Sequence, residues 1–421
     1  MQLTIFCMQI IFSGVQDQVS SHQPSLMVLA DDLSGAAECA AAFASPRHPI
    51  RLQLAQEAGI SMDAVTVWDL NAREAEATLS SVLVARLRRM PVSFIKVDSL
   101  LRGSWAQLLA QLSQAVGRPI VLCPALPRLG RAVREGRIRL SLRERQRIGS
   151  DRHGHAIVPA LTARGLSAGN LTRMPEASVA AFAASIADAA AKQAVTVVDA
   201  ADADELDRLA SALAQLSMPL LLCGSAGLLN AVARLQPGSA AGSTPCAFPG
   251  SARLPVPMAV LVGSVTPTAR AQLERLRDVA ATELYHWNPA TGWSPGATRG
   301  ATVGEPPAAA APLRLFATAS HIGASCESRS LPLRFVRALL PYTSDVRCFV
   351  ATGGETARAL CDLLGVAALD VIGELEDGVC VARLPGKPER LLILKSGSFG
   401  DDDTLVRLAR LGPLTETEYR T

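Results

Sequence analysis

Two short segments of this chain gather acids, bases and a hydroxyl directly after an apolar run. In LMVLADDLSGAAECAAAF (Leu26 to Phe43) the run stops at Asp31-Asp32, and Ser34-Gly35 and an alanine-rich stretch follow. Carboxylates in that position can accept hydrogen bonds from ligand hydroxyls, hold a magnesium ion or take up a proton. A helix cap would account for one of the two acids, but the second is harder to explain that way. In VSFIKVDSLLRGSW (Val92 to Trp105) the residues Lys96, Asp98, Ser99 and Arg102 follow the same kind of run. Cations beside acids and a hydroxyl suit a ligand with one carboxylate and several hydroxyls, because arginine grips a carboxylate through two parallel bonds. The competing reading is an internal Lys–Asp–Arg ion-pair network with a serine cap. Arg73 closes a third run (TVWDLNAR) and either completes the anion site or is a solvated helix residue.

The second half offers a different chemistry. VLVGSVTPTARAQL places Gly263-Ser264 after an apolar run and Thr266 before Pro267, CFVATGGETARALCDLL places Gly353-Gly354-Glu355-Thr356 at a helix start, and LLILKSGSFGDDDTL sets Lys395, Gly397 and Gly400 in one turn. Glycine lets the backbone approach a phosphate, and a helix N-terminus presents N–H groups and positive dipole to it. One such turn is ordinary punctuation, whereas three in one half point to a phosphate-binding edge.

Both clusters need parallel strand ends to hold them. Apolar strands alternate with alanine-rich helices throughout, the pattern of α/β layers. Strands are predicted near Leu26–Ala30, Ile50–Ala55, Ala64–Trp68, Val92–Val97, Ile120–Cys123, Val195–Val198 and Leu220–Cys223, then near Ala259–Gly263, Arg314–Ala319, Cys348–Ala351 and Leu391–Lys395. A helix is predicted over Ala72–Met90, and the Pro/Gly/Ala-rich stretch Asn288–Pro312 reads as a surface loop. Pro237–Pro257 is rich in Pro, Gly and Ser and makes the best domain boundary. The division predicted is an N-terminal extension over 1–25, one α/β domain over 26–236, a linker over 237–257 and a second α/β domain over 258–421.

Composition narrows the function classes. The 421 residues are 49% hydrophobic, which excludes a disordered chain. A net charge of +3 with 4% aromatics gives no basis for a nucleic-acid or membrane surface. Nine cysteines without a C-x-x-C pair read as reduced thiols in a cytoplasmic protein. Leu3–Phe12 resembles a signal h-region, but the first basic residue is Arg47, so an over-long start fits better than a signal peptide. Leu209–Ala233 is uncharged and of spanning length, yet Pro219 and the Gly224–Gly227 turn break it into helix end, strand, turn and helix. Arg128–Arg152 carries nine arginines interleaved with Glu135, Glu144 and Asp151, and reads as a solvated, phosphate-facing or interface loop. There is no P-loop, dinucleotide fingerprint or nucleophile elbow, and His153/His155 lack further ligands at metal spacing.

Taken together, ADDLSGA, KVDSLLRG, PALPRLGR, CGSAGLL, GSVTPTARAQL, GGETA and KSGSFGDDDTL resemble, in order, the motifs of the four-carbon acid sugar kinases, from about Leu26 to Leu411. The resemblance implies two three-layer α/β/α domains with mainly parallel sheets and an active site in the cleft between them. It implies an N-terminal domain that binds a four-carbon sugar acid through Asp31, Arg73, Lys96, Asp98, Ser99 and Arg102. It also implies a C-terminal domain that binds ATP around Ser264, Gly353, Gly354, Glu355, Thr356, Gly397 and Gly400. The implied reaction moves the γ-phosphoryl group to the terminal hydroxyl of a tetronate-type acid. Asp32 and Asp98 are the first candidates for the general base. Magnesium is expected from the chemistry, although no ligand set can be read, and a homodimer is compatible with the family.

The chain departs from the family pattern at Ser34, where Thr is usual, and near Glu38, where Asp is usual. It also lacks, after the basic segment, the Asp/His-Pro element of many 3-oxo-tetronate kinases, which puts D-threonate and D-erythronate in front. A non-catalytic sugar-acid sensor on the same fold, or a kinase for another small hydroxy acid, are the alternatives. The missing dinucleotide fingerprint speaks against a dehydrogenase.

Overall fold

The computed structural model describes residues 26–56, 65–73, 79–90, 92–148, 152–172, 177–235, 253–280, 282, 284–295, 311–319 and 330–412. The chain divides near Thr244 into two compact units, the second also taking in Ala44–Pro49. The expected extension 1–25 and most of the expected linker lie outside the described residues.

In the first unit the strands are β1 (Leu26–Ala30), β2 (Ile50–Gln53), β3 (Val65–Asp69), β4 (Val92–Lys96), β5 (Ile120–Cys123), β6 (Arg131–Arg134), β7 (Arg137–Leu140), β8 (Ala168–Leu171), β9 (Val195–Val198) and β10 (Leu221–Gly224). Eight of them form a parallel array in the order β2-β3-β1-β4-β10-β5-β9-β8, and β6 and β7 form a separate antiparallel hairpin. β1, β3 and β4 are buried along their whole length, as strands covered on both faces must be. Register sets Ala30 level with Asp69 and Lys96, and Gly224 level with Lys96 and Cys123. The loops that carry Asp31, Arg73 and Asp98 therefore leave one edge together. The chain turns from β1 toward β3 and later returns on the other side at β4, which makes this edge a topological switch point.

Two expectations change here. The helix predicted over Ala72–Met90 is the shorter Ser81–Arg89, capped by Ser80, whose hydroxyl accepts from Leu83 N at 3.2 Å. Ala72 and Arg73 stand in irregular backbone ahead of it, so Arg73 is not a helix residue. The basic segment is no loop: it is the β6–β7 hairpin followed by the helix Leu142–Ile148. Alternation explains the hairpin, because Arg131, Val133, Ile138 and Leu140 share its buried face. Its two-residue turn, Glu135-Gly136, has positive φ at both positions (53° and 64°). The Asp199 carboxylate accepts both turn amides, at 2.7 and 3.0 Å.

The second unit contains β11 (Met258–Val262), β12 (Leu284–Asn288), β13 (Gly292–Pro295), β14 (Leu313–Thr318), β15 (Cys348–Thr352), β16 (Ala368–Glu376), β17 (Val379–Leu384) and β18 (Lys387–Lys395). Their order is β13-β12-β14-β11-β15-β18-β17-β16, parallel from β12 to β18 and antiparallel at β13, β17 and β16. β13 falls inside the stretch read as a surface loop, most of which lies outside the described residues. An apolar core of Val260, Leu273, Leu315, Val350, Ile393 and Leu405 joins sheet to helices. Val262, Thr352 and Lys395 are level, so the three glycine turns also share one edge. Two α/β domains with mostly parallel sheets flanked by helices are thus what the chain forms. No described helix is long and apolar enough to cross a membrane.

Candidate functional site

The acid-rich edge of the first unit is built on three loops. Asp32 caps the helix Leu33–Ala41, its Oδ1 accepting from Gly35 N at 2.9 Å. Its Oδ2 accepts from Arg73 Nη1 at 2.6 Å, so capping and ion pairing coexist in one carboxylate. Arg73 also grips Asp31 through Nε at 3.1 Å and Nη2 at 2.9 Å. Asp31 Oδ2 accepts from the Asp98 backbone N–H at 3.1 Å, which ties the end of β1 to the loop after β4. Asp98 in turn holds Arg102 in a fork, with Nε at 2.7 Å and Nη2 at 2.8 Å. Arg102 is 43% exposed at its side chain, against 17% for Arg73.

Burial and charge set the protonation of this cluster. Burial raises the Asp31 carboxyl above the usual carboxylate range, outweighing the pull of Arg73, and the charge of Asp32 adds to it. Burial works to lower the Lys96 ammonium, but the charges of Asp31 and Glu38 prevail and hold it above its ordinary value. Burial also opposes ionisation of Asp98, yet the hydrogen bonds from Arg102 and the charge of Arg73 hold its carboxyl far below the usual range.

Backbone strain gathers at the same place. Asn71 and Leu101 are non-glycine residues in the left-handed region (φ 49° and 53°), two positions before Arg73 and one before Arg102. Each such residue costs on the order of 1–3 kcal/mol and persists only where its surroundings hold it. Gly103 (φ 72°) permits the close approach, since a β-carbon there would sit 2.1 Å from the Arg73 carbonyl oxygen.

Two residues that sequence reasoning passed over support this edge. Arg131, fully buried on β6, donates from Nη1 to Ser99 Oγ at 2.6 Å and pairs with Glu144 through Nε at 2.8 Å and Nη2 at 2.6 Å. Burial pushes Glu144 up, but Arg147 and Arg131 outweigh it and keep its carboxyl below the usual range. The alternation R-A-V-R-E-G-R-I-R-L was the available signal: period two places Arg131 in phase with Val133. Glu38 pairs with Arg128 of the neighbouring turn.

In the second unit hydroxyls knit the glycine turns together. Thr266 Oγ1 donates to the Gly397 carbonyl at 2.7 Å and lies 3.1 Å from Ser264 Oγ. A β-carbon on Gly397 would meet Ser264 Oγ at 2.4 Å, and one on Gly263 would meet Thr356 Oγ1 at 2.1 Å. Gly353, at φ 102°, starts the helix Gly354–Leu363 without a side-chain cap. Gly400 (φ 83°) begins the turn into the helix Thr404–Arg410. Glu355 lies in the first turn of its helix and Thr356 is buried. Among the described residues no group of three or more His, Cys, Asp or Glu could hold a metal ion.

Residues 26–232 match a sugar-binding N-terminal domain and residues 315–405 a nucleotide-binding C-terminal domain. The chain is 30% identical to a D-threonate kinase of Cupriavidus necator over 421 residues, covering 90% of this chain and 96% of the relative. It is 27% identical to a D-threonate kinase of Bordetella bronchiseptica over 418 residues, covering 92% and 97%. A Salmonella typhimurium LT2 structure described as a tRNA synthase shares the fold, with a TM-score of 0.66 at 19% identity over 91% of this chain and 98% of that one. With a sugar-binding and a nucleotide-binding half and a relative alike along almost its whole length, the chain belongs to the four-carbon acid sugar kinase family and is an ATP-dependent kinase.

Proposed function

We propose that this kinase phosphorylates the terminal C4 hydroxyl of a four-carbon sugar acid, D-threonate or D-erythronate, giving the 4-phosphate and ADP. The observation that carries the reading is the arrangement at one strand-end edge of Arg73 bonded to Asp31 and Asp32 and of Arg102 bonded to Asp98, the two sets joined by the bond from the Asp98 amide to Asp31. A tetronate carries one carboxylate and three hydroxyls, the complement of such a mixture. Both near-full-length relatives named above are D-threonate kinases, which favours that acid.

In this reading Arg102, the more exposed of the two arginines, meets the substrate carboxylate. A carboxylate at Arg102 competes with Asp98, and release from the fork gives Asp98 free lone pairs to accept the hydroxyl proton. Asp32 is the second candidate base, with Arg73 and the helix amide as its present partners. Lys96, Asp31 and Ser99 complete the substrate side. Ser264, Gly353, Gly354, Glu355, Thr356, Gly397 and Gly400 surround the nucleotide phosphates. Magnesium, expected from the chemistry, binds phosphate oxygens with only one or two protein carboxylates and would arrive with ATP. Transfer is chiefly positioning and charge neutralisation.

The test is a coupled ADP-release assay with Mg·ATP across D-threonate, D-erythronate, L-threonate and 3-oxo-tetronates, with mass spectrometry of the products. Turnover of one D-epimer to a singly phosphorylated acid is expected. Nucleotide binding without turnover of any tetronate would overturn the substrate assignment.

A further inference from the structure

The fold fixes the hydrogen-bond direction of the Ser99 hydroxyl from behind. Ser99 is buried, and its oxygen receives a bond from Arg131 Nη1 at 2.6 Å. Arginine only donates, so that bond occupies a serine lone pair and leaves the serine proton uncommitted. Among the described residues no acceptor takes that proton. A buried O–H without an acceptor is costly, and the cost vanishes when a ligand oxygen arrives.

Arg131 is itself held on two sides. Glu144 occupies its Nε and Nη2, and Arg147 grips the same carboxylate through Nε at 2.7 Å. Only Nη1 points at Ser99, and the hairpin that carries Arg131 is fastened at its far end by Asp199. A buried arginine held by a carboxylate through both Nε and Nη2 is a rigid donor, unlike a solvated one. Its charge also polarises the serine hydroxyl, making the O–H a stronger donor.

We propose that Arg131, fixed by Glu144, is a positioning residue that turns the Ser99 hydroxyl into a dedicated hydrogen-bond donor to an oxygen of the bound sugar acid. The inference rests on the function proposed above, because Ser99 is taken to face the substrate. It assigns to the hairpin, and to an arginine that never touches ligand, part of the acid affinity. Ser99→Ala removes the donor; Arg131→Lys keeps the charge but loses the fork that aims Nη1.

A double-mutant cycle tests it, reading KM for the acid, KM for ATP and melting temperature in each variant. A hydrogen bond to a charged group corresponds to about a tenfold to hundredfold effect, and each single change should raise the acid KM within that range. The double variant should be no worse for the acid than the worse single variant, with the KM for ATP within about twofold of wild type throughout. If Arg131→Lys does not fold, Glu144→Gln takes its place in the cycle. Multiplying effects on the acid KM, or an Arg131→Lys protein that melts lower with unchanged acid KM, would overturn the proposal. So would a Ser99→Ala protein of normal acid KM. Calorimetric titration of the wild type with the same acids separates the two levels. A wild type that binds none of them removes the proposed function and this inference with it, whereas acid binding with a multiplicative cycle removes this inference alone.

Discussion

Lys96 and Gly35 meet so closely that a β-carbon on Gly35 would lie 2.8 Å from the Lys96 ammonium and 2.8 Å from Asp32 Oδ1. The first turn of the helix thus has no room for even a methyl group where the lysine passes beneath it. On helix propensity alone Gly35→Ala would gain about 1 kcal/mol. The clash offsets that gain by displacing a flexible ammonium and a capping carboxylate. We expect a melting temperature within a few degrees of wild type but a KM for the acid raised about tenfold or more, with KM for ATP unchanged. Steady-state kinetics with thermal melting checks this, and an unaltered acid KM would remove Lys96 from the substrate side.

The two arginines of this edge should separate stability from binding. Arg73 is largely buried across Asp31 and Asp32, and Arg73→Gln leaves two buried carboxylates short of a partner. A loss of about 3–5 kcal/mol is expected, read by urea unfolding. Arg102 is 43% exposed, so Arg102→Gln should cost clearly less stability while raising the acid KM. The reverse ranking would contradict the burial on which the assignment rests.

Asp98 makes stability depend on pH in a definite direction. Its folded carboxyl is held far below the usual range, chiefly by Arg102 and Arg73 against burial, while the unfolded carboxyl titrates near its ordinary value of about 3.9. The unfolded chain therefore binds more protons below that value. The contribution is complete at higher pH and is lost as pH falls toward the folded value. Wild type should lose stability more steeply than Asp98→Asn between about pH 5 and pH 3. Parallel curves from denaturant titrations would show that Asp98 is not the group responsible.

On the nucleotide side, Gly353 has φ 102°, a conformation that strains any L-residue. Gly353→Ala should raise KM for ATP about tenfold, leave the acid KM near wild type and lower stability by about 1–2 kcal/mol. Gly397→Ala should act in the same sense, because its β-carbon would press on Ser264 Oγ. Equal effects on both substrates would argue against two separate edges.

The sequence made the strand-end clusters legible because buried parallel strands leave an unmistakable apolar signature. β1, β5 and β9 occur over the residues predicted from it. What it hid was antiparallel pairing. Asp377-Gly378 and Pro385-Gly386 connect β16, β17 and β18 by two-residue turns, yet their mixed, charged flanks mask the alternation. Arg131 was masked in another way. Eight further arginines crowd Arg128–Arg152, and a count of charge cannot tell the buried one from those in solvent. The period-two phase it shares with Val133 is the signal that a charge count passes over, and its pairing with Leu140 and with the Glu144 carboxylate shows which side it faces.

The link from Asp31 Oδ2 to the Asp98 amide has a consequence for how such a protein can change over generations. Asp31 binds a neighbouring loop and Arg73 at once, so any replacement there must be absorbed by the ends of three strands. Variation that preserves the fold is channelled instead toward positions such as Arg102, whose guanidinium reaches solvent and whose loss leaves the strand ends tied. New acid preferences in this lineage should accordingly arise by substitution at the outer residues of the edge, over a floor that selection keeps unchanged for the sake of folding.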